Sequence, residues 1–125
     1  MMKIGLILFA HGARDPAWAA PFEAVAAQVR RLRPAAEVRL AFLELMAPSL
    51  PEAGAALAAV GCAQVAVLPL FLGAGGHVRK DLPLLVDALR TAHPGMTFQL
   101  HSAVGEDEGV IAAMAAAATR TLQAA

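Results

Sequence analysis

Residues 66–80 read Ala-Val-Leu-Pro-Leu-Phe-Leu-Gly-Ala-Gly-Gly-His-Val-Arg-Lys, and the interpretation of the whole chain starts from this stretch. An apolar, β-prone run ends in three glycines, a histidine and two cations. Glycine adopts backbone conformations that side chains forbid and lets a ligand approach closely, at an entropic cost that a simple turn does not require. We therefore expect His77 to lie in a functional connection that follows a buried strand.

Short apolar runs alternate with amphipathic runs along the chain. An apolar run without helical period, bounded by turn-forming residues, is typical of a strand buried in a parallel sheet. The four expected strands are 3–10, 36–44, 65–68 and 96–102. Pro69 has no amide to donate, so we expect the pairing of the third strand to fade there.

Four helices are expected, one after each strand. Each has apolar residues at helical spacing, and capping residues or glycine and proline stops mark the ends. The helices are expected to start at about Pro21, at the capping box of Ser49 and Glu52, at a cap on Asp81, and at about Glu108. This βαβαβαβα order predicts a single α/β domain over residues 1–125, with one open four-stranded parallel sheet in the order 2-1-3-4 and helices on both faces.

The composition argues against several classes of function. Ten basic and ten acidic residues give a formal net charge of zero, so neither nucleic acid nor an anionic membrane is an expected partner. No apolar run reaches the roughly 18 residues of a membrane span, and no cleavage site of small residues follows Met1–Ala10; both favour a cytoplasmic protein. Cys62 alone cannot form an internal disulfide or a thiolate-rich zinc site. The 58% apolar content indicates a subunit interface.

Candidate functional side chains follow the first three expected strands. His11 comes after strand one, Glu44 ends strand two and His77 comes after strand three. Ligands of open parallel sheets bind beyond this edge, where the strand order reverses. Two imidazoles and one carboxylate suit a divalent first-row metal such as Co²⁺, Ni²⁺, Fe²⁺ or Zn²⁺. The same groups also suit a general base and the residue that orients it.

The two remaining histidines are interpreted differently. His101 ends the fourth expected strand and is a further candidate for the same edge. His93 lies in a His-Pro-Gly helix stop and is interpreted as a surface residue.

Other interpretations of the glycine segment stay open. Histidine phosphatases also have a His-Gly pair after strand one, but their arginine precedes the histidine, where this chain has Ala10. Glycines near a helix start can bind phosphate, although Gly-Ala-Gly-Gly has neither the dinucleotide-binding nor the P-loop spacing. A non-enzymatic divalent-metal carrier would keep both histidines as well.

Three segments resemble the sirohydrochlorin chelatase family of the small CbiX type. They are HGARD at 11–15, FLELMAPSL at 42–50, and PLFL at 69–72 with GGHVRKDLP at 75–83. The family inserts cobalt, or in relatives nickel or iron, into a modified tetrapyrrole, and the short form works as a homodimer. The resemblance extends from end to end of the chain. It implies a chelatase-like half-domain of cobalamin- or siroheme-type biosynthesis, with a divalent metal (Co²⁺, or else Ni²⁺ or Fe²⁺) as substrate and no organic cofactor.

The resemblance also implies roles for individual residues. In the family, the histidine after strand one and the histidine of the glycine loop handle the metal, so His11 and His77 are implied as metal-binding catalytic residues, with help from Glu44. Ala13 departs from the family, which usually has serine or threonine there, and a loop hydroxyl contact is lost. A half-sized domain cannot enclose the tetrapyrrole, so its site is expected to open onto the dimer partner. The implied tetrapyrrole contacts are Arg14, Met46, Phe71, Gly75, Gly76 and Arg79.

Overall fold

The strands form one parallel sheet in the computed structural model, which describes residues 2–73 and 75–122. The strands are β1 (Lys3–Ala10), β2 (Glu37–Phe42), β3 (Cys62–Pro69) and β4 (Thr97–Leu100). All neighbouring strands pair in parallel, in the order β2-β1-β3-β4. The predicted α/β class, strand order and open parallel sheet are confirmed. The predicted domain ends at residues 1 and 125, and the extension of the last helix to the terminus, lie outside the described residues.

Four α-helices connect or follow the strands. They are α1 (Ala20–Leu32), α2 (Leu50–Ala59), α3 (Gly76–Ala92) and α4 (Glu108–Leu122), with 3-10 turns at Pro16–Ala19 and Val104–Glu106. The capping box of α2 is confirmed: the Glu52 amide donates to the Ser49 hydroxyl at 3.3 Å, and the Ser49 amide donates to the Glu52 carboxylate at 2.9 Å. These hydrogen bonds lower the pKa of Glu52. No helix in residues 2–73 and 75–122 is long and apolar enough to cross a membrane.

The core lies on both faces of the sheet, because successive β1 side chains point to opposite sides. On one face, α2 and α3 cover Ile7 and Phe9, which are fully buried. On the other face, α1 covers Leu8 through Ala26. Burial of each such large side chain contributes roughly 1.5–3 kcal/mol. The buried strand β1 therefore anchors the residues that follow it at its carboxyl end.

The α4 helix packs on neither face in the part of the chain that the structure describes. Its main contacts are with the turn Val104–Glu106, and none of its residues is buried. Ile111 is 49% exposed and Met114 is 40% exposed. At the sheet surface, Ile4 of β1 is 45% exposed.

The predicted start of α3 was wrong. The helix begins at Gly76, after an N-cap at Gly75 that is extended (ψ 167°) and makes no side-chain cap hydrogen bond. Asp81 lies in the second turn, and Pro83 lies inside the helix. Glycine at the cap costs little helix stability, so no Asp or Ser is needed to start the helix. His77 is therefore the second residue of a helix rather than part of a loop.

The predicted fading of pairing at Pro69 is confirmed: β3 ends at Pro69, which is also its last residue paired with β1. One further hydrogen bond follows, from the Leu70 amide to the Phe9 carbonyl at 2.8 Å. Successive amides of a strand point to opposite neighbours, and the nitrogen of Pro69 faces the side of β4, where pairing ends at Leu100. Proline is tolerated there because no hydrogen bond is lost.

Burial defines the state of two further side chains. Cys62 is buried at 4% exposure, and burial raises the pKa of its thiol, which is typical of an unreactive cysteine. His93, interpreted as a surface residue, is half-buried, and its ring centroid lies 6.2 Å from that of Phe98. The helix stop that it belongs to folds back onto β4, which the local sequence does not reveal.

Candidate functional site

Backbone hydrogen bonds continue past the ends of β1 and β2 and bring Glu44 beside His11. The Leu43 amide donates to the Ala10 carbonyl at 2.9 Å, and the Glu44 amide donates to the His11 carbonyl at 3.1 Å. Nε2 of His11 then lies 3.1 Å from Oε1 of Glu44. The pair is half exposed (49% and 55%), so it forms without the cost of burying a charge. The topology thus joins two of the three residues predicted to form the site.

This pairing gives the His11 imidazole a defined chemical state. A carboxylate accepts but does not donate, so the Nε2–H donates to Glu44, and Nδ1 carries a lone pair whenever the imidazole is neutral. A carboxylate on one ring nitrogen typically orients a metal-binding histidine and makes its other nitrogen a better ligand. The His11–Glu44 pair can therefore bind a metal through imidazole nitrogen and accept a proton at the carboxylate.

Gly12 is required by the approach of the two strand ends. Its φ is +99°, in the region that favours glycine, and a Cβ built there would overlap the carbonyl oxygen of Glu44. A side chain at position 12 would therefore separate His11 from Glu44. The His-Gly pair in the sequence has a structural cause as well as a functional one.

Leu45 continues this edge with an unusual backbone. Its φ is 65°, which is uncommon for a residue with a Cβ, and its side chain is 60% exposed. Strain of this kind persists only where the surroundings impose it, and it concentrates at functional sites. Met46, a predicted tetrapyrrole contact, is half-buried against Phe42. Leu45 therefore presents more apolar surface beside Glu44 than Met46 does.

Phe71 packs between the core and the His11 imidazole. Its ring is 8% exposed, belongs to the core under α2 and α3, and lies 6.1 Å (centroid to centroid) from both Phe9 and His11. The contact with His11 is edge-on, which restricts the orientation of the imidazole. A tetrapyrrole contact by Phe71 stays a prediction, and the next residue, Leu72, is 68% exposed at the same edge.

His77 lies at the same edge of the sheet as His11 and Glu44 but does not take part in their close contact. The helix after β3 starts at the carboxyl edge of the sheet, and His77 is exposed in its first turn. Across residues 2–73 and 75–122, no three His, Cys, Asp or Glu side chains lie close enough together to hold a metal ion. His77 therefore does not complete a three-ligand cluster with His11 and Glu44 inside one chain. The exposed Arg14 lies in the loop after β1.

A hollow of about 420 Å³ lies between the first half of α3 and the end of β4, and we refer to it as the α3–β4 hollow. Its polar lining consists of Arg79, His101, Ser102 and Glu106. The sequence interpretation missed Ser102 and Glu106. Gly105 brings them to the edge: its amide donates to the Phe71 carbonyl at 3.0 Å, and a Cβ there would overlap the Leu72 carbonyl. In the sequence, only the single glycine at position 105, between the last strand and the last helix, could have indicated this contact.

The fold and this edge together define the class: an open parallel α/β half-domain with a histidine–carboxylate pair where the strand order reverses. The CbiX family model matches residues 5–121, and the chain belongs to the CbiX family. The resemblance seen in the sequence is thereby confirmed.

Similar proteins carry specific names. The sirohydrochlorin cobaltochelatase of Methanosarcina acetivorans is 32% identical over 81 residues, which are 65% of this chain and 62% of that protein. The chain spans less than two thirds of the length of such curated relatives.

Two solved structures are similar over most of the chain. A putative cobalamin (vitamin B12) biosynthesis CbiX protein from Marinobacter aquaeolei VT8 is 32% identical, with a TM-score of 0.86 over 98% of this chain and 100% of that one. The sirohydrochlorin chelatase SirB from Bacillus subtilis subspecies spizizenii, in complex with cobalt, is 26% identical with a TM-score of 0.74. That similarity covers 90% of this chain but 48% of SirB, so this chain corresponds to about half of SirB.

Proposed function

We propose that this protein inserts a divalent metal, Co²⁺, into sirohydrochlorin as a chelatase of cobalamin- or siroheme-type biosynthesis. The observation that carries the proposal is the His11–Glu44 pair, 3.1 Å apart at the carboxyl edge of the sheet in a chain of the CbiX family. Relatives named sirohydrochlorin cobaltochelatase support the reaction, and the cobalt complex of SirB supports cobalt as the metal substrate.

The chemistry requires a ligand that holds the metal ion and a base that removes the pyrrole protons. The ion loses its bound water and binds the ring nitrogens, and the pyrrole protons that it displaces leave. His11, through Nδ1 of the neutral imidazole, and His77 serve as ligands that transfer the ion to the ring. Glu44 is half exposed and accepts a proton. Metal enters and protons leave, so the step needs no redox partner and no organic cofactor.

The surroundings of these residues suit a large, flat, anionic substrate. Leu45 and Leu72 are 60% and 68% exposed and offer apolar surface to the ring. A Cβ added at Gly75 or Gly76 would meet no atom of the described residues within 4 Å. The packing of this chain therefore does not require glycine there, whereas a closely approaching ligand would. The exposed Arg14 and Arg79 provide charges for its carboxylates.

The protein works as a homodimer in this proposal. Two copies would make up the amount of structure in SirB, of which one copy covers 48%. The α4 helix has 15 residues and is about 22 Å long at 1.5 Å per residue. Its exposed apolar side chains, Ile111 and Met114, and the uncovered sheet surface around Ile4 both require a partner.

The dimer is tested by light scattering at micromolar concentration. We expect twice the chain mass for the unmodified protein and a monomer for Ile111→Asp. Ile111 is exposed within one chain, so the substitution leaves the fold of that chain intact, and circular dichroism checks this. A monomeric unmodified protein contradicts the homodimer.

The reaction is tested by mixing the protein with sirohydrochlorin and Co²⁺ and following the absorbance spectrum of the tetrapyrrole. We expect the spectrum of the cobalt complex to appear faster than without protein. Cobalt binding without accelerated insertion would indicate the alternative function, a non-enzymatic metal carrier. Binding of inorganic phosphate with neither result would indicate a phosphate-binding domain. Repeating the assay with Ni²⁺ and Fe²⁺ ranks the three metals by their rate of insertion.

Several predictions made from the sequence remain untested by the structure and the similar proteins. The cytoplasmic location and the absence of nucleic-acid and membrane partners rest on the amino-acid sequence alone. A single domain over residues 1–125 and the individual site residues are part of the proposal.

A further inference from the structure

The α3–β4 hollow is not used by the metal chemistry described so far. His11 is not among the residues that line it, and Pro69, Leu82 and Pro83 form part of its apolar lining. Its polar groups converge from three separate elements, α3, the end of β4 and the turn Val104–Glu106. A hollow with an apolar lining and a few convergent polar groups has the character of a ligand subsite.

The charges of the hollow favour one anionic group. Arg79 lies near the start of α3, whose first turn contains no acidic residue. Among the ion pairs of the described residues, none includes Arg79. The Ser102 hydroxyl and the His101 imidazole add hydrogen-bonding groups beside it. Glu106 adds a negative charge to the same lining and opposes the binding of any anion, so the single cation Arg79 suits the hollow to one carboxylate rather than a cluster.

The position of the hollow matches the periphery of a ring whose centre lies at His11. The strand order places β4 two positions from β1, which is roughly 10 Å at the usual strand spacing. The carboxylates of sirohydrochlorin are on short side chains at the ring periphery, whereas the metal binds at the centre. This spacing lets one substrate molecule reach both His11 with its centre and the hollow with a peripheral carboxylate.

We propose that the α3–β4 hollow binds one carboxylate-bearing side chain of the tetrapyrrole, through Arg79, Ser102 and His101. This inference rests on the proposed function. The hollow sets the rotation of the ring about the bound metal, because a ring held only by its face and centre can turn. The guanidinium forms a charge-assisted pair with the carboxylate, and the Ser102 hydroxyl donates a hydrogen bond.

Steady-state kinetics of cobalt insertion test the inference through the variants Arg79→Gln and Ser102→Ala. We expect Arg79→Gln to raise the KM for sirohydrochlorin by roughly 10- to 100-fold, as for a lost charged hydrogen bond, and Ser102→Ala to raise it by a few fold. The kcat and the KM for Co²⁺ should stay within about twofold of the unmodified protein. Arg79→Lys should recover part of the affinity, because the charge remains while the planar fork is lost.

The matched control is Arg120→Gln, which removes an exposed arginine from α4, far along the chain from the hollow. It should leave every kinetic constant unchanged. An unchanged KM for sirohydrochlorin in both hollow variants would overturn the inference. So would a fall in kcat with no change in KM, since that result would place Arg79 in the chemical step.

A titration without metal separates this inference from the proposed function. The absorbance of sirohydrochlorin, followed while protein is added, gives the Kd for the tetrapyrrole alone. If the unmodified protein binds the ring but inserts no cobalt, the proposed function fails, and a weaker Kd of Arg79→Gln still supports the hollow. If it inserts cobalt and Arg79→Gln binds the ring equally well, only the hollow assignment fails.

Discussion

The two halves of the candidate site are built in opposite ways. In the β1–β2 half, formed by His11–Gly12 and Leu43–Leu45, backbone hydrogen bonds, a positive-φ glycine and a strained leucine hold the parts together. In the glycine half, Gly75–Arg79, the helix starts without a side-chain cap, and a Cβ added at Gly75 or Gly76 would meet no atom of the described residues within 4 Å. The first half is organised by the chain itself. The second leaves room that the chain does not fill, which suits a ligand or a second copy.

The largest expected effect tests whether both halves serve one reaction. His11→Ala and His77→Ala should each lower cobalt insertion by roughly a hundredfold or more, because each removes a metal ligand or a positioned base. Both side chains are exposed, so the free energy of unfolding should change by only about 0.5 kcal/mol or less. Insertion rates and urea unfolding measure the two quantities.

His93→Ala is the control for loss of an imidazole. This residue lies at the C-terminal end of α3, at the opposite edge of the sheet, and packs beside Phe98. It should cost some stability and no activity. If His77→Ala inserts cobalt at the unmodified rate, the glycine half does not belong to the site.

The next largest effect compares how much a glycine substitution in each half changes the stability of the protein. Gly12→Ala should lower the free energy of unfolding by roughly 2–4 kcal/mol, because it combines an unfavourable positive φ with overlap against a backbone carbonyl. Gly76→Ala should change it slightly or raise it by up to about 1 kcal/mol, since alanine is the better helix former and the position is open. Urea unfolding of both variants makes the comparison. Equal losses would show that the two halves are equally constrained.

The smallest effect concerns Leu45. Replacing it by glycine should leave the free energy of unfolding within about 0.5 kcal/mol, because relief of the positive φ offsets the entropy of a flexible glycine. Affinity for the tetrapyrrole should nevertheless fall several-fold, since an exposed apolar contact is lost. Leu84→Gly is the control: Leu84 is also exposed (67%) but lies in the interior of α3, where glycine should cost about 1 kcal/mol. An equal loss of stability at Leu45 would mean that its backbone is not strained.

The sequence predicted what depends on local pattern and strand order. Buried strands, the Ser49 capping box and the short βα connections follow from hydrophobic period and turn residues, and right-handed crossovers then give the order 2-1-3-4. His11 and Glu44 were correctly expected to meet, because parallel strands end at the same edge of the sheet. The start of α3 was missed, because Asp81 has the chemistry of a cap and Gly75 shows its role only through its backbone conformation.

Only the tertiary structure determines which segments approach each other closely. The 3.1 Å contact of His11 with Glu44, the place of Gly105 against the Phe71–Leu72 backbone and the exposure of α4 depend on where separate segments meet. The amino-acid sequence by itself determined the elements, their order and the edge where the chemistry lies, since these follow from the period of apolar residues and the handedness of crossovers. Which side chains share a hollow at that edge depends on packing between residues far apart in the chain, and no local pattern encodes those distances.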